Sequence, residues 1–247
     1  MNVVVIAVIA ATGVISGATN AVAGAGSLLT YPVLVACGLP PVVANVTNDV
    51  GIVAGNATGA LGLRSELHGQ RALLRAILPG AIVGSVLGAV ALLLAPGAAF
   101  EWLAPPLLLA ASLITLAQPA LIRRRAQRRR GLHLAVDLTS IYGGYFGTGI
   151  GLLYMATLGL FIDETTPRLN AVKTVLQLVA NGLAGVVFVL AGPVDWKVVS
   201  ALAAGSLVGG KLGAGFAKTI PAASLRITVA VIGTLAAAWL IAHQIAQ

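Results

Sequence analysis

The sequence predicts an all-α polytopic membrane protein made of two inverted repeats of about five membrane segments each, with broken or re-entrant hairpins at two glycine clusters. Three observations carry that prediction. The 247 residues are 58% hydrophobic and only 9% charged, with a mean hydropathy of +0.99. Several nearly charge-free runs are about 18–24 residues long, enough to cross about 30 Å of hydrocarbon at about 1.5 Å per residue. The chain also repeats itself: an offset of 125 residues superposes Gly24 on Gly149 and Asn45 on Asn170.

Continuous apolar runs exclude a transmembrane β-barrel, whose strands alternate apolar and polar residues. The net charge of +8 does not point to nucleic acid. Six of the fifteen cations are arginines between Arg123 and Arg130, and most others lie in short loops, which is topology information. Attraction to anionic headgroups fits the same charges. Cys37 is the single cysteine, so it forms no intrachain disulfide or cysteine metal cluster. The opening residues lack a basic region and a cleavage site, and residues 3–20 read as a retained membrane segment.

Taken in order, the apolar runs fall near residues 3–20, 27–37, 42–63, 72–95, 103–122, 132–147, 149–162, 169–191, 197–217 and 224–246. Gly/Pro turns (Gly38-Leu-Pro-Pro41, Ala95-Pro-Gly97, Gly192-Pro193) or charged loops separate them. Runs 27–37, 132–147 and 149–162 are short for a full span. Each adjoins a glycine cluster, Gly24-Ala-Gly26 or Gly147-Thr-Gly149-Ile-Gly151, so re-entrant hairpins would bring the number of full spans below ten. The same offset aligns Gly26 with Gly151 and Asn56 with Asn181. It aligns Gly80, Gly84 and Gly88 with Gly205, Gly209 and Gly213, and Pro96 with Pro221, without a gap. The single membrane domain 1–247 divides accordingly into repeat one (1–122), a basic linker (123–131) and repeat two (132–247).

Loop charge gives the orientation. Arg64, Arg71 and Arg75 follow the third run, with Glu66, whereas the equivalent stretch 192–197 carries one cation and one acid. Residues 96–101 carry Glu101 and no cation; their equivalent has Lys218 and Arg226. Basic loops face the cytoplasm. Equivalent loops then lie on opposite faces, the repeats are inverted, the Arg-rich linker is cytoplasmic and both termini are outside. Inverted repeats with interrupted segments are a transporter design, with the site near the midplane. Irregular backbone at that depth survives only where it lines protein or a wet cavity.

Chemistry concentrates on two stripes. Asn170, Lys173, Thr174, Gln177 and Asn181 recur every three to four residues, which is one face of a helix. A lysine at a membrane helix centre costs about 2.5–3.5 kcal/mol on insertion scales, so its default reading is functional. The repeat-related stripe is Asn45, Asn48, Asp49 and Asn56, with Asn48 in the place of Lys173 and Asp49 in that of Thr174. The two stripes are expected to meet across the pseudo-two-fold axis. Interhelical amide hydrogen bonds, worth about 0.6–2 kcal/mol, are the alternative role for the asparagines. An ion pair with Asp49 is the alternative for Lys173.

The clusters Gly24-Ala-Gly26-Ser27 and Gly147-Thr148-Gly149-Ile-Gly151 would let backbone N–H groups approach an anion, or would serve close packing. For Gly80/Gly84/Gly88 and Gly205/Gly209/Gly213, spaced four apart on single helices, packing is favoured. Asp137 reads as interfacial and Lys211 as a snorkelling cation. His68, His133 and His243 show no metal-ligand spacing. No Ser/His/Asp set, Walker loop or carboxylate pair suggests catalysis or ATP hydrolysis, and no cofactor or metal is expected.

The stretches Gly24-Ala-Gly-Ser-Leu-Leu-Thr-Tyr-Pro-Val-Leu34 and Gly38-Leu-Pro-Pro-Val-Val-Ala-Asn-Val-Thr47 resemble the first-repeat pattern of the TauE/SafE sulfite exporter family, also called the toluene-sulfonate uptake permease family. Gly147-Thr-Gly-Ile-Gly151, Asn170-Ala-Val-Lys173 and Asn181 resemble its second-repeat pattern, and the likeness covers nearly the whole chain. It implies movement of a small sulfur-containing anion, such as sulfite, sulfoacetate or another organosulfonate, across the bacterial cell inner membrane. Where the family often has a denser glycine run, this chain has Ala25.

The residues ask for a small anion as well: one buried cation, several amide and hydroxyl donors, and glycine-exposed backbone. The expectation is a secondary transporter working by alternating access, not an enzyme. Lys173 would neutralise the anion, with Asn45, Asn48, Asn170 and Gln177 donating hydrogen bonds. Gly24, Gly26, Ser27, Thr148, Gly149 and Gly151 would complete the cage, and Asp49 is the candidate for ion coupling. Expected partners are the small anion and the lipid bilayer, with a homo-oligomer left open and no nucleic acid. The rival readings are a cation/proton antiporter using Asp49, with Asp137, and a membrane-embedded lipid-phosphate enzyme, which would need acids clustered with Ser, Arg or His.

Overall fold

The computed structural model describes residues 2–123, 129–217 and 222–245. Most of the expected linker, and the Lys218 stretch used to orient repeat two, lie outside the described residues. Among the described residues each predicted run has become a helix. They are α1 (Val3–Ala23), α2 (Ser27–Ala36), α3 (Pro41–Gly62), α4 (Arg71–Leu94), α5 (Gly97–Arg123), α6 (Arg129–Tyr145), α7 (Ile150–Phe161), α8 (Thr166–Ala191), α9 (Trp196–Phe216) and α10 (Ala222–Ile245), with a 3₁₀ turn at Arg64–Leu67. Helix α5 begins six residues before the apolar run 103–122, because the Ala99 and Phe100 N–H groups already donate to Pro96 O at 2.9 and 3.4 Å. Prolines open α3 and α8, where their missing N–H is not needed. Asp195 opens α9 by accepting from Lys197 N and Val198 N at 3.0 and 3.1 Å.

The molecule is a multi-pass membrane protein. Among the described residues five helices are long and apolar enough to cross a bilayer: α1, α4, α8, α9 and the Gly97–Ala117 part of α5. Large apolar side chains such as Leu87, Leu94, Leu138, Leu190 and Leu235 point outward, where lipid would receive them. Helices α2 and α7, of 10 and 12 residues, rise only about 15 and 18 Å, roughly half a hydrocarbon core. They are the broken segments announced by the glycine clusters.

Packing is exchange-like. Helix α1 lies on α9 as α6 lies on α4, α3 on α9 as α8 on α4, and α2 on α10 as α7 on α5, while α3 meets α8 and α5 meets α10. The four-spaced glycines make the first of these contacts. Gly205, Gly209 and Gly213 rest on Ala10, Val14 and Ala18, and Gly80, Gly84 and Gly88 on α6 between Asp137 and Tyr145. A Cβ at any of the six would collide with the facing helix. Asp137 thus lays its carboxylate against Gly80, half-buried between helices. Lys211 points outward.

Helices α3 and α8 run antiparallel: Gly192 lies beside Val46, Gly185 beside Val50 and Val53, and Gly59 beside Thr174. At one end of this pair the α3–α4 loop meets the start of α8. Glu164 there accepts from Gln70 Nε2 at 3.0 Å and from Arg168 Nη1 at 3.1 and 3.2 Å, while Arg168 Nη2 donates to His68 O at 3.3 Å. At the opposite end Asp195 N donates to Thr47 Oγ1 at 3.1 Å.

Candidate functional site

The site is set by two breaks in the helices. Gly24 ends α1 with φ +79°, and Gly149 precedes α7 with φ +78°. L-residues with side chains rarely adopt that left-handed conformation, which glycine reaches freely. A Cβ on Gly24 would sit 2.6 Å from Gly151 C, so the two breaks touch backbone to backbone.

The glycine N–H groups are spent within the protein. Gly24 N donates to Thr19 O and Asn20 O at 3.1 and 3.0 Å, Gly26 N to Asn20 Oδ1 at 2.6 Å, and Gly149 N to Ser27 Oγ at 2.9 Å. These three glycines serve close approach, while the donors available to a ligand lie on side chains of α3 and α8.

Along these two helices runs a buried polar column. Asn45, Asn48, Asp49, Asn56, Asn170, Lys173, Thr174, Gln177 and Asn181 are all buried. At one end of it, Lys173, 0% exposed, donates from Nζ to Asn20 O at 2.7 Å, and Asn170 Nδ2 donates to Ala21 O at 2.8 Å. These carbonyls belong to the last turn of α1. At the other end, Asn45 Nδ2 donates to Tyr145 O at 3.2 Å, in the last turn of α6. Asn48 Oδ1 accepts from Thr30 Oγ1, and the Asp49 carboxylate lies against Gly147. Tyr142 Oη donates to Thr148 O at 2.7 Å beside it. Asn56 and Asn181 occupy the middle of the column.

The structure therefore brings both stripes into one column but at different heights. Thr174 is level with Gly59, ten residues and about 15 Å along α3 from Asp49. Lys173 and Asp49 make no ion pair: the lysine is on Asn20 O, and neither Asp49 oxygen has a hydrogen-bond partner.

Several other buried atoms of the column also lack partners: Asn48 Nδ2, Asn56 Nδ2, Thr148 Oγ1, and both ends of Gln177 and Asn181. Buried polar atoms are almost always paired, so a run of orphans on one column is exceptional. Gln177, about one helical turn from the lysine, and Asn56, joined to it through Asn20, are the orphaned donors toward that end; Asn181 lies about two turns along α8 from the lysine. Asn170 and Asn45 instead have their amide N–H groups on main-chain carbonyls, pinning α8 and α3 to the ends of α1 and α6. Among the described residues no group of three His, Cys, Asp or Glu side chains could hold a metal ion.

Asn20 is the residue sequence reasoning missed. Its carbonyl takes Lys173, its Oδ1 takes Gly26 N, and its Nδ2 donates to Asn56 Oδ1 at 3.4 Å. The available signal was a lone asparagine near the end of an apolar run, four residues before a glycine cluster.

Comparison with known proteins agrees with this architecture. Residues 9–240 match the family described as sulfite exporter TauE/SafE. A probable membrane transporter protein of Haemophilus influenzae is 27% identical over 97% of this chain and 95% of its own length. A probable membrane transporter protein, ORF9, of a Sinorhizobium species is 28% identical over 82% and 79%. The probable membrane transporter protein YfcA of Escherichia coli K12 is 25% identical over 81% and 76%. No solved structure matches the chain.

Proposed function

The chain belongs to the sulfite exporter TauE/SafE family of membrane transporters, and from that premise we propose that it moves a small sulfur-containing anion, such as sulfite or an organosulfonate, by alternating access across the bacterial inner membrane. The observation that carries the anion reading is Lys173. A fully buried ammonium with one N–H on a neutral carbonyl sits beside amide donors that have no protein partner. A lysine has three N–H donors. An oxyanion accepting from Lys173, Gln177 and Asn56 would satisfy the cation and these orphaned amides together, through charge-assisted bonds about twice as strong as neutral ones.

Alternating access is supported by the way the column is closed. Its residues are buried, and the two bundle ends are held by different contacts: the Glu164–Arg168–Gln70 clasp and the Thr47–Asp195 contact. Exchange-like packing of the helix pairs is what two inverted repeats rocking about a central site require. Arg64 in the α3–α4 connection, with Arg71 and Arg75 in the first turns of α4, supports a cytoplasmic clasp end.

The test is flux of sulfite and of methanesulfonate into proteoliposomes. Wild type should transport one or both, and Lys173→Ala should lose that flux while keeping the monodisperse elution of wild type. Undiminished flux in folded Lys173→Ala would remove the lysine from the mechanism.

A further inference from the structure

We propose that Asp49 is the site of a transported proton, held at the opposite end of the column from the anion, so that one proton moves in each transport cycle. This rests on the anion-transport reading above and supplies its coupling ion.

The geometry is that of a carboxylate placed for titration rather than for pairing. Asp49 is buried inside α3, eight residues from its start at Pro41, and neither oxygen meets a donor. It lies against Gly147 in the break between α6 and α7, where a Cβ would overlap the carboxylate. Two further groups without a partner are Asn48 Nδ2, next to Asp49 in the chain, and Thr148 Oγ1, next to the Gly147 that the carboxylate touches. A carboxylate that only tied the fold together would hold a donor, since buried polar atoms are almost always paired. One that gains and loses a proton needs neighbours that are free to rotate toward either form.

The surrounding charges leave it to titrate alone. Tyr142, within electrostatic reach, has its hydroxyl on Thr148 O. Lys173 on α8 is on Asn20 O, and Arg168 on α8 is on Glu164 and His68. On α2, Tyr31 stacks edge-on against Phe146. Tyr145, at the end of α6, packs on Phe100. Arg64 of the 3₁₀ turn, Lys197 and Lys211 on α9, and Glu101 on α5 are exposed, Glu66 of that turn has its own partner, and α1 has no ionisable side chain. A proton also suits the site better than a coordinated metal ion, because among the described residues no group of three His, Cys, Asp or Glu side chains could hold one.

In the cycle, the carboxylate takes a proton from water when one face is open. It crosses the occluded state as the neutral acid and releases the proton when the other face opens. Lys173 and the anion neutralise each other in the same step, so neither end of the column carries an isolated charge while sealed, which would cost several kcal/mol per ion.

Two measurements on the full-length protein test this. In the first, infrared difference spectra between acidic and basic buffers are taken on wild type and Asp49→Asn in lipid, without any anion. Wild type should show a carboxyl band that appears with acid, and Asp49→Asn should lack it. No such difference means Asp49 does not exchange a proton, and overturns the proposal whatever the cargo is. In the second, proteoliposomes enclosing a pH-sensitive dye receive a gradient of methanesulfonate, which keeps one negative charge throughout. Wild type should move protons with the anion, and a pH gradient should change its uptake several-fold. Asp49→Asn should still exchange anion for anion but lose both effects. Loss of anion exchange in wild type would fail the anion reading and leave the infrared result to decide Asp49. A dependence on sodium in place of pH, or unchanged proton movement in Asp49→Asn, overturns the proton assignment.

Discussion

The lysine end and the aspartate end of the column are built on the same frame and filled with opposite charge. In each, an asparagine from a long helix pins itself to the last turn of a broken one: Asn170 on Ala21 O, and Asn45 on Tyr145 O. These positions correspond across the repeat. The ionisable groups do not, since Asn48 answers Lys173 and Thr174 answers Asp49. The 125-residue offset thus relates the two pinning asparagines, while the ionisable groups stand where it matches unlike residues. A lysine and an acid on one column, about 15 Å apart along α3, are too far apart to pair with each other.

The largest effect should come from removing what both ends share. Gly24→Ala adds a Cβ 2.6 Å from Gly151 C in a left-handed conformation. Overpacking and backbone strain together cost about 2–5 kcal/mol. A clear fall in thermal stability in detergent, with both anion and proton responses lost, is the expected outcome. A stable, active Gly24→Ala protein would show that the two breaks need not touch.

Next is the lysine itself. Lys173→Ala removes a charged donor worth about 1.5–3 kcal/mol, or roughly 10- to 100-fold in anion affinity. Titration calorimetry with sulfite or methanesulfonate should show that loss, whereas Asp49→Asn should shift affinity by less than threefold. Equal losses in both would merge the two ends into one site.

The pinning pair sharpens the symmetry claim. Asn170→Ala and Asn45→Ala each leave a main-chain carbonyl without its partner, at about 1–3 kcal/mol. The two variants should be destabilised alike in chemical or thermal unfolding. A large difference between them would mean that the frame is less symmetric than its hydrogen bonds.

The smallest effect lies at the clasp. Hydrogen bonds from Arg168 and Gln70 hold the Glu164 carboxyl below its usual range. Its contribution is then complete above the ordinary carboxyl value of 4.5 and is lost as pH falls through the lower folded value. Glu164→Gln should melt slightly below wild type at neutral pH and low salt, with the gap closing in acid and in high salt. A gap that persists in acid would assign the effect to packing.

Much of this was legible in the sequence. Continuous apolar runs gave the helices, and the glycine clusters marked the two breaks because no other residue reaches φ near +79° cheaply. The period of three to four residues put Lys173 and Asp49 on buried faces. That period reports which face a residue occupies, not its height against a neighbouring helix. The antiparallel register of α3 and α8, visible where Gly59 meets Thr174, was therefore hidden, and with it the separation of lysine from aspartate. The glycine N–H groups looked available because their acceptors, Asn20 Oδ1 and Ser27 Oγ, are recruited by the fold. Asn20 itself escaped notice because the 125-residue offset pairs it with Tyr145 and not with another amide.

The most direct measurement is the position of a bound anion. Crystals grown with a bromine-labelled alkanesulfonate should give an anomalous peak at the lysine end, with the sulfonate oxygens within hydrogen-bond reach of Lys173 Nζ and Gln177. The same crystals of Lys173→Ala should lack it. A peak beside Asp49 and Asn48 instead, retained in Lys173→Ala, would contradict the division of the column into an anion end and a proton end.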